Sequence, residues 1–221
     1  MIRAVLFDLD GTLVDSAPDL GGALNRLRAE EGLQPLPLEE LRWAVSKGGA
    51  GLVSLGMGTA EGERFEQLRD RFLKIYEQQL YRDSSLFDGV DELLDWLARQ
   101  AIPWGVVTNK WERFTLPVMQ QSGLMPRAGC LVCGDTLRHS KPHPAPVELA
   151  CRLLGAEPAQ TVMFGDDQRD IQAAQSAGAR AVFASYGYTR EQPEGITDSV
   201  DSARAIRAWL EMSRSGERFS D

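Results

Sequence analysis

Asp8 and Asp10 stand two residues apart in the run Asp8-Leu9-Asp10-Gly11-Thr12-Leu13, directly after an apolar stretch. Two acids and a glycine at the end of a strand set carboxylates in a crevice, where they repel one another unless a cation neutralises them. Hard oxygen ligands of this kind favour Mg²⁺. If one carboxylate attacks a phosphorus centre, its neighbour two residues on is placed to protonate the leaving group and later to activate water. The reaction then divides through an acyl phosphate. An acidic turn that merely caps a strand has the same wording, so the reading depends on what else the chain brings to that place.

Three further segments carry suitable groups. Thr108-Asn109 follows a second apolar stretch and offers a hydroxyl and backbone N–H groups. Lys141 lies in Ser140-Lys141-Pro142-His143-Pro144, where two prolines restrict the backbone and can hold one ammonium against a phosphate and the attacking carboxylate. Gly165-Asp166-Asp167, with Asp170 shortly after, follows another apolar stretch and opens a helix that ends near Gly178. An acid there also serves as an N-cap, a role open to Asp167 or Asp170.

The elements that must position these groups are legible as short apolar runs at Ala4 to Leu9, Pro103 to Thr108, Cys130 to Cys133, Thr161 to Phe164 and Arg180 to Ala184, with helical patterns between most of them. Runs that are apolar without alternation fit a parallel sheet covered by helices on both faces. The carboxyl ends of such strands meet at a ligand-binding crevice. More than ninety residues separate the first two runs, far beyond the dozen or so of a simple crossover, so a further unit is inserted there. Its periodicity is helical: Ala17 to Glu31 carries Leu20, Ala23, Leu24 and Leu27, and Glu63 to Leu80 carries Phe65, Leu68, Phe72, Leu73 and Tyr76. These stripes read as packing faces. The expected organisation is an α/β catalytic core at residues 1–15 and 86–221 and a helical cap at residues 16–85. Val90 to Gln100 reads as a core helix, and the polar tail from Ser213 to Asp221 as frayed.

Composition bounds the function. A net charge of −8 over 221 residues excludes broad affinity for nucleic acid or an anionic membrane. Without a signal-peptide pattern or about 18 consecutive apolar residues, a cytoplasmic protein is expected, and without a readable association surface, a monomer. Cys130, Cys133 and Cys151 are too few for a disulfide framework. The CxxC they include lacks a second ligand pair at zinc spacing, and His139 and His143 in their Pro-rich loop read as solvated or locally bonded.

Taken in order, and each after a strand, the four segments resemble the haloacid dehalogenase superfamily of aspartate-nucleophile phosphatases, over essentially the whole chain. The resemblance implies a Rossmann-like core with an inserted helical cap. It implies Asp8 as nucleophile and Mg²⁺ ligand, and Asp10 as general acid/base and ligand through its carbonyl. Thr108 and Lys141 would bind the phosphoryl group, with Asp166 as a metal ligand, and Asp167 or Asp170 as a further ligand or anchor. Aspartate rather than serine at position 10 points within the family to phosphate transfer rather than dehalogenation. Ser46 to Gly51 looks like the cap loop that reaches the substrate, with Lys47 meeting a carboxylate or hydroxyl. The wording Gly105 to Lys110, with Asn109 and Arg113 as substrate contacts, is similar to phosphoglycolate phosphatases and to N-acetylmuramic acid 6-phosphate phosphatases. The implied partner is a small phosphate ester. A mutase of the β-phosphoglucomutase type shares the core and cap, and a non-catalytic module would have lost a catalytic position, although none is replaced here.

Overall fold

Ala4-Val5-Leu6-Phe7 is apolar at every position and fully buried at every position, as a strand covered on both faces requires. In the computed structural model, which describes residues 1–189, 191–196 and 198–215, it forms β1 (Ala4–Phe7). The chain continues through β2 (Val14–Asp15) and four helices, α1 (Ala17–Glu30), α2 (Leu38–Val45), α3 (Gly48–Met57) and α4 (Glu63–Glu77). It returns by β3 (Ser85–Leu86), α5 (Val90–Arg99), β4 (Trp104–Val107), α6 (Glu112–Gln121) and β5 (Cys130–Val132). It ends through α7 (Ala145–Leu153), β6 (Thr161–Gly165), α8 (Gln168–Ala177), β7 (Arg180–Ala184), β8 (Ser199–Val200) and α9 (Ala203–Ser215).

The main sheet has the order β5-β4-β1-β6-β7-β8, with every neighbouring pair parallel. Side chains alternate across it. Val5, Phe7, Val106, Val162 and Phe164 pack with residues of α5, α6 and α9, while Leu6, Val107, Val132 and Met163 pack with residues of α7 and α8. Phe7 stacks on Phe164 with ring centroids 5.7 Å apart and meets Trp104 edge-on at 6.0 Å; Trp209 closes on Phe164 at 5.4 Å. From β1 the chain builds β4 and β5 to one side and later β6, β7 and β8 to the other. The order therefore reverses beside β1, and the crevice opens at its carboxyl end.

The five expected apolar runs are the five longest strands of this sheet. The first ends at Phe7 rather than Leu9, because the Leu9 carbonyl turns to accept N–H groups of Leu13 and Val14. The sixth strand, β8, and the β2·β3 ribbon have two residues each, too short for any periodicity. The expected cap loop is also different: only Ser46 and Lys47 separate α2 from α3, and Gly48 to Gly51 form the first turn of α3. The expected frayed tail begins inside α9, and beyond residue 215 it lies outside the described residues. Among the described residues no helix is long and apolar enough to cross a membrane.

Helices α1 to α4 pack on one another around Leu24, Leu27, Leu41, Leu52 and Phe72, all fully buried. They leave and rejoin the sheet through the antiparallel ribbon of β2 and β3, with Val14 opposite Leu86 and Asp15 opposite Ser85. Arg42 of α2 binds Asp15 with both terminal nitrogens, at 3.0 and 2.8 Å, and the Tyr188 hydroxyl donates to the same carboxylate at 2.9 Å. Buried Asp19 in α1 accepts backbone N–H groups from Arg82 at 3.0 Å, Asp83 at 2.8 Å and Ser84 at 3.2 Å, and also the Ser84 hydroxyl. One carboxylate thus anchors the segment that returns to the core. Asp19→Ala leaves these donors unpaired and is expected to lower unfolding free energy by about 2–4 kcal/mol. Urea unfolding followed by circular dichroism measures this, and a loss below about 0.5 kcal/mol would show that water replaces the carboxylate without cost.

Candidate active site

Each strand of the central triplet ends in a functional group. Asp8 follows β1, and its N–H donates to Phe164 O at 2.9 Å, so the ladder continues one residue into the crevice. Thr108 follows β4 and Asp166 follows β6, both buried. Lys141 arrives from the loop after β5, and its peptide bond to Pro142 is cis. The carboxamide of Asn109 holds that loop in place: its Nδ2 donates to Lys141 O at 2.8 Å, and its Oδ1 accepts the Lys141 N–H at 3.0 Å. Asn109, expected to contact substrate, thus spends both polar atoms of its side chain on positioning Lys141.

The Lys141 ammonium lies 2.8 Å from Asp8 Oδ1, 2.5 Å from Asp170 Oδ1 and 2.6 Å from Val107 O. Burial alone would depress this lysine, but the facing Asp170 and Asp8 carboxylates outweigh it and hold the ammonium above its ordinary value. Asp166 is pushed well above the usual carboxylate range by burial and by the nearby charges of Asp8 and Asp170, against the pull of the Tyr188 N–H at 2.8 Å. The second oxygen of Asp166 accepts the Thr12 hydroxyl at 3.3 Å. Asp170 is pushed up as well, chiefly by burial and against the attraction of Lys141.

Asp8, Asp166 and Asp170 can each bring one carboxylate oxygen within 4.8 Å of the others. Three clustered acids, two of them paired with one ammonium, leave an excess of negative charge, and an all-oxygen donor set is what a hard divalent cation takes. The residues therefore fit a metal. The backbone is shaped for the same cluster: Gly11 has φ +88°, and a Cβ there would sit 2.4 Å from Asp166 Oδ2, while a Cβ at Gly187 would meet Asp166 Cβ at 2.2 Å. A capping box sets Asp167 and Asp170 apart. Asp167 accepts the Arg169 N–H at 2.9 Å and caps α8, whereas Asp170 accepts the Asp167 N–H at 3.0 Å and faces Lys141. The Asp167-x-x-Asp170 spacing is a legible signal for this arrangement.

The Asp10 carboxylate points elsewhere. Lys110 Nζ lies 3.0 Å from both of its oxygens and 2.6 Å from the Tyr76 hydroxyl, on α4. Burial opposes the Lys110 charge, and Asp10 and Tyr76 together raise it above its ordinary value; burial pushes the Tyr76 phenol up to about 12. Lys110 and Tyr76 are missing from the residues expected at the site. Lys110 adjoins Thr108-Asn109, but nothing in its type separates it from a solvated lysine, and Tyr76 occurs in a stripe that reads as packing.

A cavity of about 340 Å³ joins these groups, within the range of small-molecule sites. Asp8, Asp10, Thr108, Lys141 and Asp166 line its floor, and Lys47 with the first residues of α3 lines the side contributed by the helical insert. Leu20, Phe72, Leu73 and Phe114 make apolar wall, and half-exposed Trp111 also borders it. Lys47 stacks over Trp43 with Nζ 4.5 Å from the ring centre. Arg69 and Arg169, unforeseen, are also on the lining; Arg169 donates to Ser46 O across the cleft. Arg113 is not brought to this cavity: it is exposed, with its guanidinium over the rings of Trp111 and Phe114 at 5.2 and 4.5 Å.

The cysteines lie away from the site. Burial pushes the Cys130 thiol up to about 12 and the Cys133 thiol up to about 11, so neither offers a ready thiolate. The rings of His139 and His143 stack at 4.5 Å, and His143 Nδ1 accepts the Ala145 N–H at 3.1 Å.

The chain is similar to known proteins. Residues 5–184 match the family model of haloacid dehalogenase-like hydrolases. The chain is 42% identical over 220 residues to an N-acetylmuramic acid 6-phosphate phosphatase of Pseudomonas putida, covering 97% of this chain and 99% of that one. It is 43% identical over 199 residues to a phosphoglycolate phosphatase of Xanthomonas campestris, covering 90% of each. A crystal structure described as a predicted phosphoglycolate phosphatase from Haemophilus somnus superposes with a TM-score of 0.83 at 29% identity, over 95% of this chain and 98% of that one.

The surplus of buried negative charge yields a prediction that needs no activity. Asp166→Asn relieves repulsion in the metal-free protein, so in EDTA its melting temperature is expected to exceed the wild-type value by about 2–6 °C. Saturating Mg²⁺ is expected to raise the wild-type melting temperature but to raise that of the variant far less, because binding to the native state is what stabilises it. Equal Mg²⁺ shifts in the two proteins would remove Asp166 from the cation site.

Proposed function

Because the chain belongs to the haloacid dehalogenase-like hydrolases and is a phosphatase among them, we propose that it is a Mg²⁺-dependent phosphomonoesterase working through an aspartyl phosphate. Its substrate is a small phosphorylated acid or sugar acid, 2-phosphoglycolate or N-acetylmuramic acid 6-phosphate. The observation that carries this reading is the Lys141 ammonium held between Asp8 and Asp170 at the carboxyl end of the central strand, at 2.8 and 2.5 Å.

Lys141 leaves Asp8 restrained in orientation and balances part of the charge that an incoming phosphoryl group adds. Asp8 attacks phosphorus as its bond to the ester oxygen breaks, and Asp10, which enters this step protonated, supplies the proton that the departing alcohol takes. Asp10 then accepts a proton from the water that cleaves the Asp8 phosphate, which returns both carboxylates to their starting state and releases inorganic phosphate. Thr108 offers a hydroxyl to the phosphoryl oxygens. Asp8, Asp166 and the main-chain carbonyl of Asp10 would hold the Mg²⁺, which when bound supplies positive charge against the phosphoryl oxygens.

Support for an acidic substrate comes from the opposite wall. Lys47 and the first turn of α3 line the cavity, and an ammonium beside backbone N–H groups at a helix start suits a second anionic group such as a carboxylate. The apolar wall of Leu20, Phe72, Leu73 and Phe114 suits the carbon face of a sugar. Both candidate substrates carry a carboxylate, so charge alone does not separate them.

Phosphate release should be measured for both esters with Mg²⁺ and with EDTA. Turnover is expected with Mg²⁺ and loss of it in EDTA, with Asp8→Asn reducing the rate by roughly 10³-fold or more. Full activity of Asp8→Asn would overturn the nucleophile assignment. Preference for the muramic ester would make the apolar wall the specificity element. An isomeric sugar phosphate in place of inorganic phosphate would mark a mutase and overturn the hydrolase reading. Lys47→Ala is expected to raise KM about tenfold for either ester with little change in kcat, the pattern of a contact made equally in the ground and transition states.

A further inference from the structure

Lys110 spends its ammonium on two parts of the molecule at once. It bridges both oxygens of Asp10, at the end of the central strand, and the hydroxyl of Tyr76, in α4 of the helical insert. The lysine side chain is 7% exposed, so water is poorly placed to substitute for either partner. The ring of Tyr76 lies 6.4 Å from Phe72 and 5.7 Å from Phe114, one on each side of the cleft. The phenol is therefore fixed by packing, and the lysine is fixed by the phenol. Asp10 itself is a half-buried side chain on a turn, and Lys110 is the one cation paired with it among the described residues.

We propose that Tyr76 and Lys110 are positioning residues, through which the docked helical insert sets the orientation of the Asp10 carboxylate for proton transfer to the leaving alcohol. With the insert against the core, Tyr76 completes the shell of Lys110 and the lysine holds Asp10 at both oxygens. When the insert moves away, the ammonium loses one of its two anchors and Asp10 loses its fixed aim. Proton delivery is thus confined to the docked state, in which bulk water is excluded. This rests on the phosphatase reading given above, in which the P–O ester bond breaks, a bond from Asp8 to phosphorus forms, and the proton of Asp10 passes to the alcohol oxygen.

The dependence on leaving group separates this role from a merely structural one. An alkoxide is a poor leaving group and needs the proton, whereas p-nitrophenolate leaves without it. The value of kcat/KM reports the steps up to and including the first irreversible one, here transfer to Asp8. It should be measured for wild type, Tyr76→Phe and Lys110→Met with 2-phosphoglycolate, N-acetylmuramic acid 6-phosphate and p-nitrophenyl phosphate. Tyr76→Phe keeps both ring contacts and removes only the hydroxyl, so it stays folded. Its kcat/KM for the better alkyl ester is expected to fall about tenfold, and that of Lys110→Met about 100-fold, with a loss on the aryl ester smaller by about fivefold or more in each.

Equal losses on alkyl and aryl esters, or no loss in Tyr76→Phe, would overturn the positioning role while leaving the phosphatase reading intact. No turnover of either alkyl ester by the wild-type protein would overturn the phosphatase reading and this inference with it.

Discussion

A single buried ammonium paired with two carboxylates, with a third acid beside them, is the interaction on which the rest of this site depends. Lys141 is nearly inaccessible, and it meets Asp8, just after the first strand, and Asp170 from the helix after β6. Burial and the charge of Asp8 both favour the neutral form of Asp170, and the ammonium opposes them. The ammonium in turn is held against its own desolvation by those same charges. Segments 133 residues apart in sequence are joined by this contact, and the surplus negative charge beside Asp166 remains for a cation to neutralise.

The fold supplies the place for that interaction through strand order. Because β1 lies between β4 and β6, three strand ends converge on one crevice, and short loops suffice to deliver Asp8, Thr108 and Asp166 to it. Lys141 needs a longer loop, and the carboxamide of Asn109 ties that loop to the end of β4. The fourth wall belongs to the helical insert, held at its neck by the Asp15 and Asp19 carboxylates. Residues at the strand ends and residues of the helical insert line a single cavity.

Much of this is legible in the residues. Among the described residues, every strand of four residues or more announces itself by an apolar run, because a parallel strand buried on both faces leaves few polar positions, here only Thr161 and Arg180 at strand starts. Asp8, Asp10, Thr108, Lys141 and Asp166 announce themselves because each follows or faces such a run. Arg113 misleads: its type and place allow a carboxylate contact, yet its guanidinium settles on the rings of Trp111 and Phe114. Gly48 to Gly51 mislead in the other direction, because packing against Phe72 and Leu73 carries α3 through residues of poor helix propensity.

What the sequence by itself determined is the sheet, the inserted helices and the set of acids and the lysine at the strand ends, since periodicity and position along the chain carry that information. Only the tertiary structure decided which charge meets which. Lys110 pairs with Asp10 and Tyr76, Asp170 turns inward while Asp167 caps its helix, and Asn109 braces Lys141. The physical reason is that a long side chain reaches several partners from one backbone position. The choice among them is made by burial and by neighbours distant in sequence, which a one-dimensional pattern does not encode.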